Sequence, residues 1–182
     1  LLEGHFRLSS GLHSPGYLQC ALVLQHPPHA EALGRAIADR TRDLRPTVVL
    51  SPALGGVVIG QEVGRALGVR AIFAERLDGA LMLRRGFTLA AADRALVVED
   101  VLTTGGSTRE TMQVARAAGG SVVGVASIVD RSPSTGSGRA LDFGVPFASL
   151  LEMSLPTYEP DQCPLCAQGL PVMKPGSRPV PA

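Results

Sequence analysis

Five apolar runs constrain this chain more than any other feature: 47-TVVLS-51, 70-RAIFAE-75, 95-ALVVE-99, 122-VVGVASIV-129 and 147-FASLL-151. Each is a near-continuous stretch of Val, Leu, Ile and Ala rather than an alternation of apolar and polar residues. Alternation leaves one sheet face in water, whereas continuity requires both faces to be covered. Helical segments separate the runs. In 29-HAEALGRAIADRTRDL-44, residues Ala30, Leu33, Ile37 and Leu44 fall on one stripe. Segments 56-GVVIGQEVGRALG-68 and 107-STRETMQVARAAGG-120 end at glycines, a common helix stop. Strands alternating with helices predict an α/β fold with a parallel sheet flanked by helices. A length of 182 residues suffices for one such core and not for two.

Two stretches break the rhythm. Residues 76–89, RLDGALMLRRGFTL, carry turn residues at Asp78-Gly79 and at Arg85-Gly86, predicting a hairpin or flap over the site. After Pro156 the chain is rich in Pro and Gly without periodicity, which predicts an irregular C-terminal tail. The expected division is a body of residues 1–155, whose first 28 or so form a distinct N-terminal segment, and a tail of 156–182. The chain starts at Leu1 rather than Met, and a short preceding piece is expected.

Composition narrows the function classes. With 45% hydrophobic and 18% charged residues the chain is ordinary globular protein. Seventeen Lys+Arg against sixteen Asp+Glu leave a net charge of +1, so nucleic acid is not expected as a partner. No apolar run is long enough to span a bilayer and no signal peptide is visible, so no membrane is expected either. Three cysteines, an odd number, suit a reducing cytoplasm better than a disulfide framework.

The chemistry concentrates in 95-ALVVEDVLTTGGSTRE-110. An apolar strand runs into two adjacent carboxylates, Glu99 and Asp100, and then into Thr103-Thr104-Gly105-Gly106-Ser107 before a helix. Strand-to-helix turns at the carboxyl edge are where open α/β sheets bind ligands. Small residues let backbone amides face an anion, and a helix N-terminus adds a favourable dipole. Thr103, Thr104, Ser107 and Thr108 add hydroxyl donors, so the turn suits a phosphate monoester. Two acids beside a phosphate would repel it unless they serve another group, and a ribose diol is the natural one. Other phosphate motifs fit less well. A Walker loop needs Lys after its last Gly, where Ser107 stands, and 55-GGVVIG-60 lacks the dinucleotide spacing. The plain alternative is a capped glycine turn with solvated acids.

V-V-E-D-V-L-T-T-G-G-S resembles the phosphoribosyl pyrophosphate (PRPP) signature of type I phosphoribosyltransferases. The resemblance implies that family's fold. It also implies that Glu99 and Asp100 are catalytic and hold the ribose 2- and 3-hydroxyls. The stretch Val101, Leu102, Thr103, Thr104, Gly105, Gly106 and Ser107 would then bind PRPP, with Thr103 to Ser107 cradling its 5-phosphate. The stretch 51-SPALGG-56 is similar to the family's pyrophosphate loop and implies backbone contacts from Ala53, Leu54 and Gly55.

Two further stretches bear on the base. The segment 6-FRLSSGLHSPGYLQ-19 resembles the N-terminal segment of orotate-using members, implying base contacts from Ser10, Gly11 and Tyr17. Arg131, in 128-IVDRS-132, occupies the place of an Arg that grips the orotate carboxylate, which a planar guanidinium can do bidentately; Thr103 completes that set. The implied reaction is transfer of phosphoribosyl from PRPP to orotate, with Mg²⁺, in a cytoplasmic homodimer whose sites are shared. The resemblance covers about residues 4–152. A purine or uracil enzyme of the same fold, or a non-catalytic RNA-binding regulator, are the alternatives.

The chain departs from the family in its cations. Many orotate enzymes carry a Lys- and His-rich mobile loop, but 74-AERLDGALMLRRGF-87 has neither, and Lys174 in the tail is the only lysine. Arg76, Arg84 and Arg85 are the expected substitutes, acting electrostatically because Arg does not give up its proton. In the tail, Cys163 and Cys166 have C-x-x-C spacing. A structural zinc takes four protein ligands and the tail supplies two, so no dedicated metal ligands and no tightly bound zinc are expected; the alternative is a four-sulfur site completed by two tails of a dimer. The prolines around the pair predict irregular backbone rather than the helix N-terminus that a redox pair uses.

Overall fold

Chain reversal between Arg7 and His13 pairs two short strands, β1 (Leu2–Arg7) and β2 (His13–Tyr17), into an antiparallel hairpin. The computed structural model describes residues 1–8, 10–132, 134–135, 138–139 and 141–174. Contacts group this N-terminal piece, Leu1–Gln19, with the chain from Ser154 onward, and Cys20–Met153 form a second unit. The sequence had suggested a different grouping, with the N-terminal segment in the body and the tail apart.

The second unit holds the sheet. Its elements in order are α1 (Ala21–Leu24), α2 (Pro27–Thr41), β3 (Val48–Pro52), α3 (Gly55–Leu67), β4 (Arg70–Leu77) and β5 (Ala80–Leu83). They are followed by β6 (Arg94–Leu102), α4 (Gly106–Ala117), β7 (Ser121–Asp130), the two-residue strands β8 (Ser134–Thr135) and β9 (Gly138–Arg139), and β10 (Phe147–Glu152). The sheet order is β10-β7-β6-β3-β4-β5, parallel throughout except for β5. All five apolar runs are strands of this sheet. Their continuity has the expected cause, since β3 is buried along its whole length and Ala95 to Val98 of β6 are fully buried. Each Val or Leu so buried is worth about 1.5–3 kcal/mol, which makes the centre of this sheet the main source of stability.

Details differ at element ends. β6 continues past Glu99 to Leu102 because its pairing with β7 runs on to Leu102 opposite Asp130. The turn is therefore only Thr103–Gly105, and Gly106 and Ser107 already belong to α4. Helix α2 stops at Thr41, and Leu44 sits half-buried in a following 3₁₀ turn, Arg42–Leu44. The expected flap is a hairpin whose first strand is the end of β4. Asp78 and Gly79 both have positive φ, as a two-residue reverse turn of this kind needs.

The hairpin–tail unit is more ordered than an irregular tail suggests. The His13 and Tyr158 backbones exchange hydrogen bonds of 2.8 and 2.9 Å. On the other strand, Met173 N–H donates to His5 C=O and Arg7 N–H to Met173 C=O. The tail thus lines both edges of the hairpin. Between those contacts lie a 3₁₀ turn, Pro160–Gln162, and a single helical turn, α5 (Pro164–Ala167). The Cys163–Cys166 pair accordingly sits on a helical turn, where irregular backbone was expected. Among the described residues no helix is long and apolar enough to cross a membrane.

Candidate active site

Adjacent residues of a strand face opposite sides of the sheet, and this separates the two acids at the end of β6. Glu99 turns under the first turn of α4, where it is 5% exposed. Its Oε1 accepts hydrogen bonds from Ser107 Oγ at 2.6 Å and Thr108 Oγ1 at 3.0 Å. Burial pushes the Glu99 carboxyl up to about 7, the two hydroxyls pull against it, and the Asp100 charge adds to the rise. Asp100 turns toward α3 and is half-buried. Burial raises its pKa too, opposed by hydrogen bonds from its own N–H and that of Val101.

The pyrophosphate-loop candidates meet Asp100. A Cβ placed on Gly55 would lie 2.8 Å from Asp100 Oδ1, so only glycine lets the start of α3 approach this carboxylate so closely. Leu54 is exposed, and Ala53 N–H is tied to Ala74 C=O of β4 at 2.8 Å. In the β6–α4 turn, Thr103 and Thr104 are exposed and Gly105 adopts φ of 73°, a left-handed conformation that turns the chain into α4. No side chain caps the N-terminus of α4, which leaves its first amides to face a ligand.

Thr108, one of the four hydroxyl donors expected to serve the phosphate, is fully buried and committed to Glu99. Ser107 spends its one proton on the same oxygen. The exposed hydroxyls are therefore those of Thr103 and Thr104. Arg109, which the sequence reading missed, braces the turn from behind. Its guanidinium donates to Thr104 C=O and Asp142 C=O at 3.3 and 3.0 Å and lies 5.0 Å over the Phe143 ring. An Arg at the fourth position of a helix offers no signal of this in the sequence.

Two of the three cationic candidates, Arg76 and Arg85, are already paired. Arg76 is exposed and bonds Glu110 Oε2 at 2.8 Å, which puts it beside α4, one turn beyond Gly106. Arg85 binds Glu75 bidentately at 2.7 and 2.8 Å and lies over Phe73, while Arg84 is exposed. Arg131 directly follows β7, half-buried, and its N–H donates to Leu102 C=O at 2.8 Å, at the same sheet edge as the β6–α4 turn. Ser10, Gly11 and Tyr17 belong to the hairpin–tail unit. Ser10 and Gly11 form its turn, and the Tyr17 ring lies 5.8 Å from that of Phe6.

The fold is a parallel sheet with paired acids near the end of a central strand and a hydroxyl–glycine turn into a helix N-terminus. The phosphoribosyl transferase domain model matches residues 21–147, and the chain belongs to that family. More narrowly, the chain is 54% identical over 180 residues to an orotate phosphoribosyltransferase of Carboxydothermus hydrogenoformans, covering 98% of this chain and 92% of that one. Among solved structures it resembles orotate phosphoribosyltransferase of Mycobacterium tuberculosis H37Rv. The complex with Fe(III) dicitrate gives a TM-score of 0.69 at 30% identity, covering 83% of this chain and 88% of that one. The complex with PRPP gives 0.63 at 28% identity, covering 82% and 88%.

Proposed function

We propose that this protein transfers the 5-phosphoribosyl group of PRPP to N1 of orotate, releasing pyrophosphate and forming orotidine 5′-monophosphate. The observation that carries the reading is the half-buried Asp100 beside Gly55, one residue from the Glu99 that is locked to the first turn of α4. That arrangement supports a role for Asp100 as the acceptor of a diol between two amide-rich turns. High identity to orotate enzymes over nearly the whole chain selects the base, and the reaction belongs to pyrimidine biosynthesis.

In this reading the amides of α4 and the hydroxyls of Thr103 and Thr104 hold the 5-phosphate, and the Ala53–Gly55 turn holds the pyrophosphate. As the bond from C1 to pyrophosphate breaks, positive charge spreads over the ribose ring, as in other glycosyl transfers. Asp100 accepts hydrogen bonds from the diol and stabilises that charge. Glu99 keeps Ser107 and Thr108 in register behind the acceptor that Asp100 presents. Arg131 grips the orotate carboxylate, and the roles of Ser10, Gly11, Tyr17 and Thr103 rest on the resemblance of those segments. Arg76 and Arg84 offset the leaving charge, for which Arg76 exchanges its carboxylate partner, while Arg85 stays with Glu75. Exposed ion pairs are weak enough to allow it.

Mg²⁺ suits this site. Among the described residues no three carboxylates converge here, and a single accessible acid fits a cation carried mainly by substrate oxygens and water. When bound, it neutralises pyrophosphate charge. A cytoplasmic homodimer with shared sites follows from the family resemblance. Pyrophosphate release measured with orotate, uracil and adenine tests the assignment. Turnover is expected with orotate, and a folded protein that prefers uracil or adenine would refute it.

A further inference from the structure

Four side chains meet in the hairpin–tail unit: His5 of β1, His13 of β2, Cys163 just before α5 and Cys166 within it. Their ligating atoms all lie within 4.8 Å of one another. His5 Nε2 is 2.9 Å from His13 Nδ1, 3.5 Å from Cys163 Sγ and 3.7 Å from Cys166 Sγ; Cys166 Sγ is 3.3 Å from His13 Nδ1. A tetrahedron with ordinary zinc–nitrogen and zinc–sulfur bonds has N–S edges of about 3.6 Å and an N–N edge of about 3.3 Å. The observed edges bracket the first value, and the second is approached within a few tenths of an ångström.

Local structure explains the convergence. His13 pairs directly across from Arg7, so it shares a face of the hairpin with Arg7 and with His5, two residues earlier. Cys163 and Cys166 are three apart on one helical turn and share a side of it. The tautomer of one ligand is also set. His5 Nδ1 lies 2.8 Å from Leu170 C=O, which can only accept, so the proton sits on Nδ1 and the Nε2 lone pair faces the cluster. That backbone contact is the outer-shell partner that metal-bound imidazoles usually have.

Hydrogen bonding alone serves the cluster poorly. With Nδ1 of His5 protonated, one proton, from His13 Nδ1, can bridge the two nitrogens, and both thiols then compete for a lone pair already used. His5, His13 and Cys163 are buried and Cys166 is exposed, so water can relieve the competition only at Cys166. A dication satisfies all four lone pairs at once, and two thiolates make the site neutral overall. From this geometry we infer that the protein holds a structural Zn²⁺ on His5 Nε2, His13 Nδ1, Cys163 Sγ and Cys166 Sγ, one per chain. Binding displaces the two thiol protons to solvent. All four positions are taken by protein, which makes the site structural rather than catalytic. The ligand count that argued against zinc considered the tail alone, and folding doubles it.

The test reads metal and needs no substrate, so it stands apart from the proposed activity. Full-length protein, expressed with zinc and purified without chelator, is analysed for metal. Separately, Co²⁺ is exchanged into the wild type, and its visible spectrum reports tetrahedral thiolate ligation without any mutation. We expect one zinc per chain, intense tetrahedral Co²⁺ bands, and loss of both in the Cys163→Ser/Cys166→Ser variant. Cys20→Ser, which lies outside the cluster, should keep both. Folded wild type without zinc and without Co²⁺ bands, metal retained by the double variant, or one zinc per two chains would each overturn the site.

Discussion

At the β6–α4 turn, the side chains that meet are close in sequence. Ser107 and Thr108 reach Glu99 across eight and nine residues. In the hairpin–tail unit the partners are far apart, with His5 meeting Cys163 and Leu170 across 158 and 165 residues. The turn closes as soon as β6 and α4 form, and the burial of β6 is enough to hold it. The hairpin–tail unit has few large apolar side chains at its centre and must close a loop of most of the chain, a cost that grows with loop length. Strong directional bonds are the physical remedy for such a unit, and a metal provides them. The β6–α4 turn is thus built from local contacts, whereas the hairpin–tail unit is built from contacts far apart in the sequence, which the inferred metal would hold.

The sharpest way to break this comparison is Asp100→Asn. Orotate-dependent turnover should fall about a hundredfold or more, since one preorganised electrostatic contact is lost. Its melting temperature should hold or rise, because burial disfavours the charge that is removed, and its zinc content should be unchanged. Near-normal turnover would show the acids to be merely solvated. Thr108→Val comes next. It removes one of two donors to a buried carboxylate, and should cost about 1–3 kcal/mol at pH 8, measured by denaturant unfolding. At pH 6, where Glu99 is mostly protonated, the loss should be smaller. An equal loss at both pH values would mean that the hydroxyl serves packing rather than the charge. The smallest effect is expected from Arg85→Ala. Its charge is already offset by Glu75, so kcat/KM for PRPP should change less than about threefold. A larger drop would move Arg85 into the pyrophosphate site.

Legibility in the sequence follows the same division. The sheet was readable because its strands are continuous apolar runs of about the right length. The β6–α4 turn was readable because acids, hydroxyls and glycines stand in one unbroken stretch. The β4–β5 hairpin announced itself through Asp78-Gly79. What escaped was set by orientation or distance. Nothing in the pair Glu99-Asp100 says which acid faces inward, since that depends on the register of β6 against β7. Thr108 looked like a phosphate donor until the pitch of α4 buried it. β1 and β2 mix Gly4, His5, Pro15 and Gly16 among their apolar residues and show no alternation, so they did not read as strands. The His–Cys cluster joins residues some 150 apart, and such contacts leave no periodic trace.

The central claim is that burial has divided two adjacent acids between two jobs, with Glu99 bracing the turn and Asp100 facing the sugar. An ordinary Glu ionises near ~4.3, whereas the native fold keeps the proton on Glu99 up to about 7. The folded state therefore binds the extra proton between those values, and Glu99 makes the protein lose stability as pH rises from ~4.3 toward 7. The most direct measurement is the pH profile of kcat/KM for PRPP, which reports ionisations of the free enzyme and free substrate, for wild type beside Glu99→Gln. The phosphate ionisation of PRPP near ~6 belongs to both profiles, so only their difference counts. We expect the wild type to gain activity through a step near 7 that the variant lacks, with the variant losing less stability than the wild type as pH rises across the same range. Superimposable profiles, with the step retained in Glu99→Gln, would contradict the division of labour.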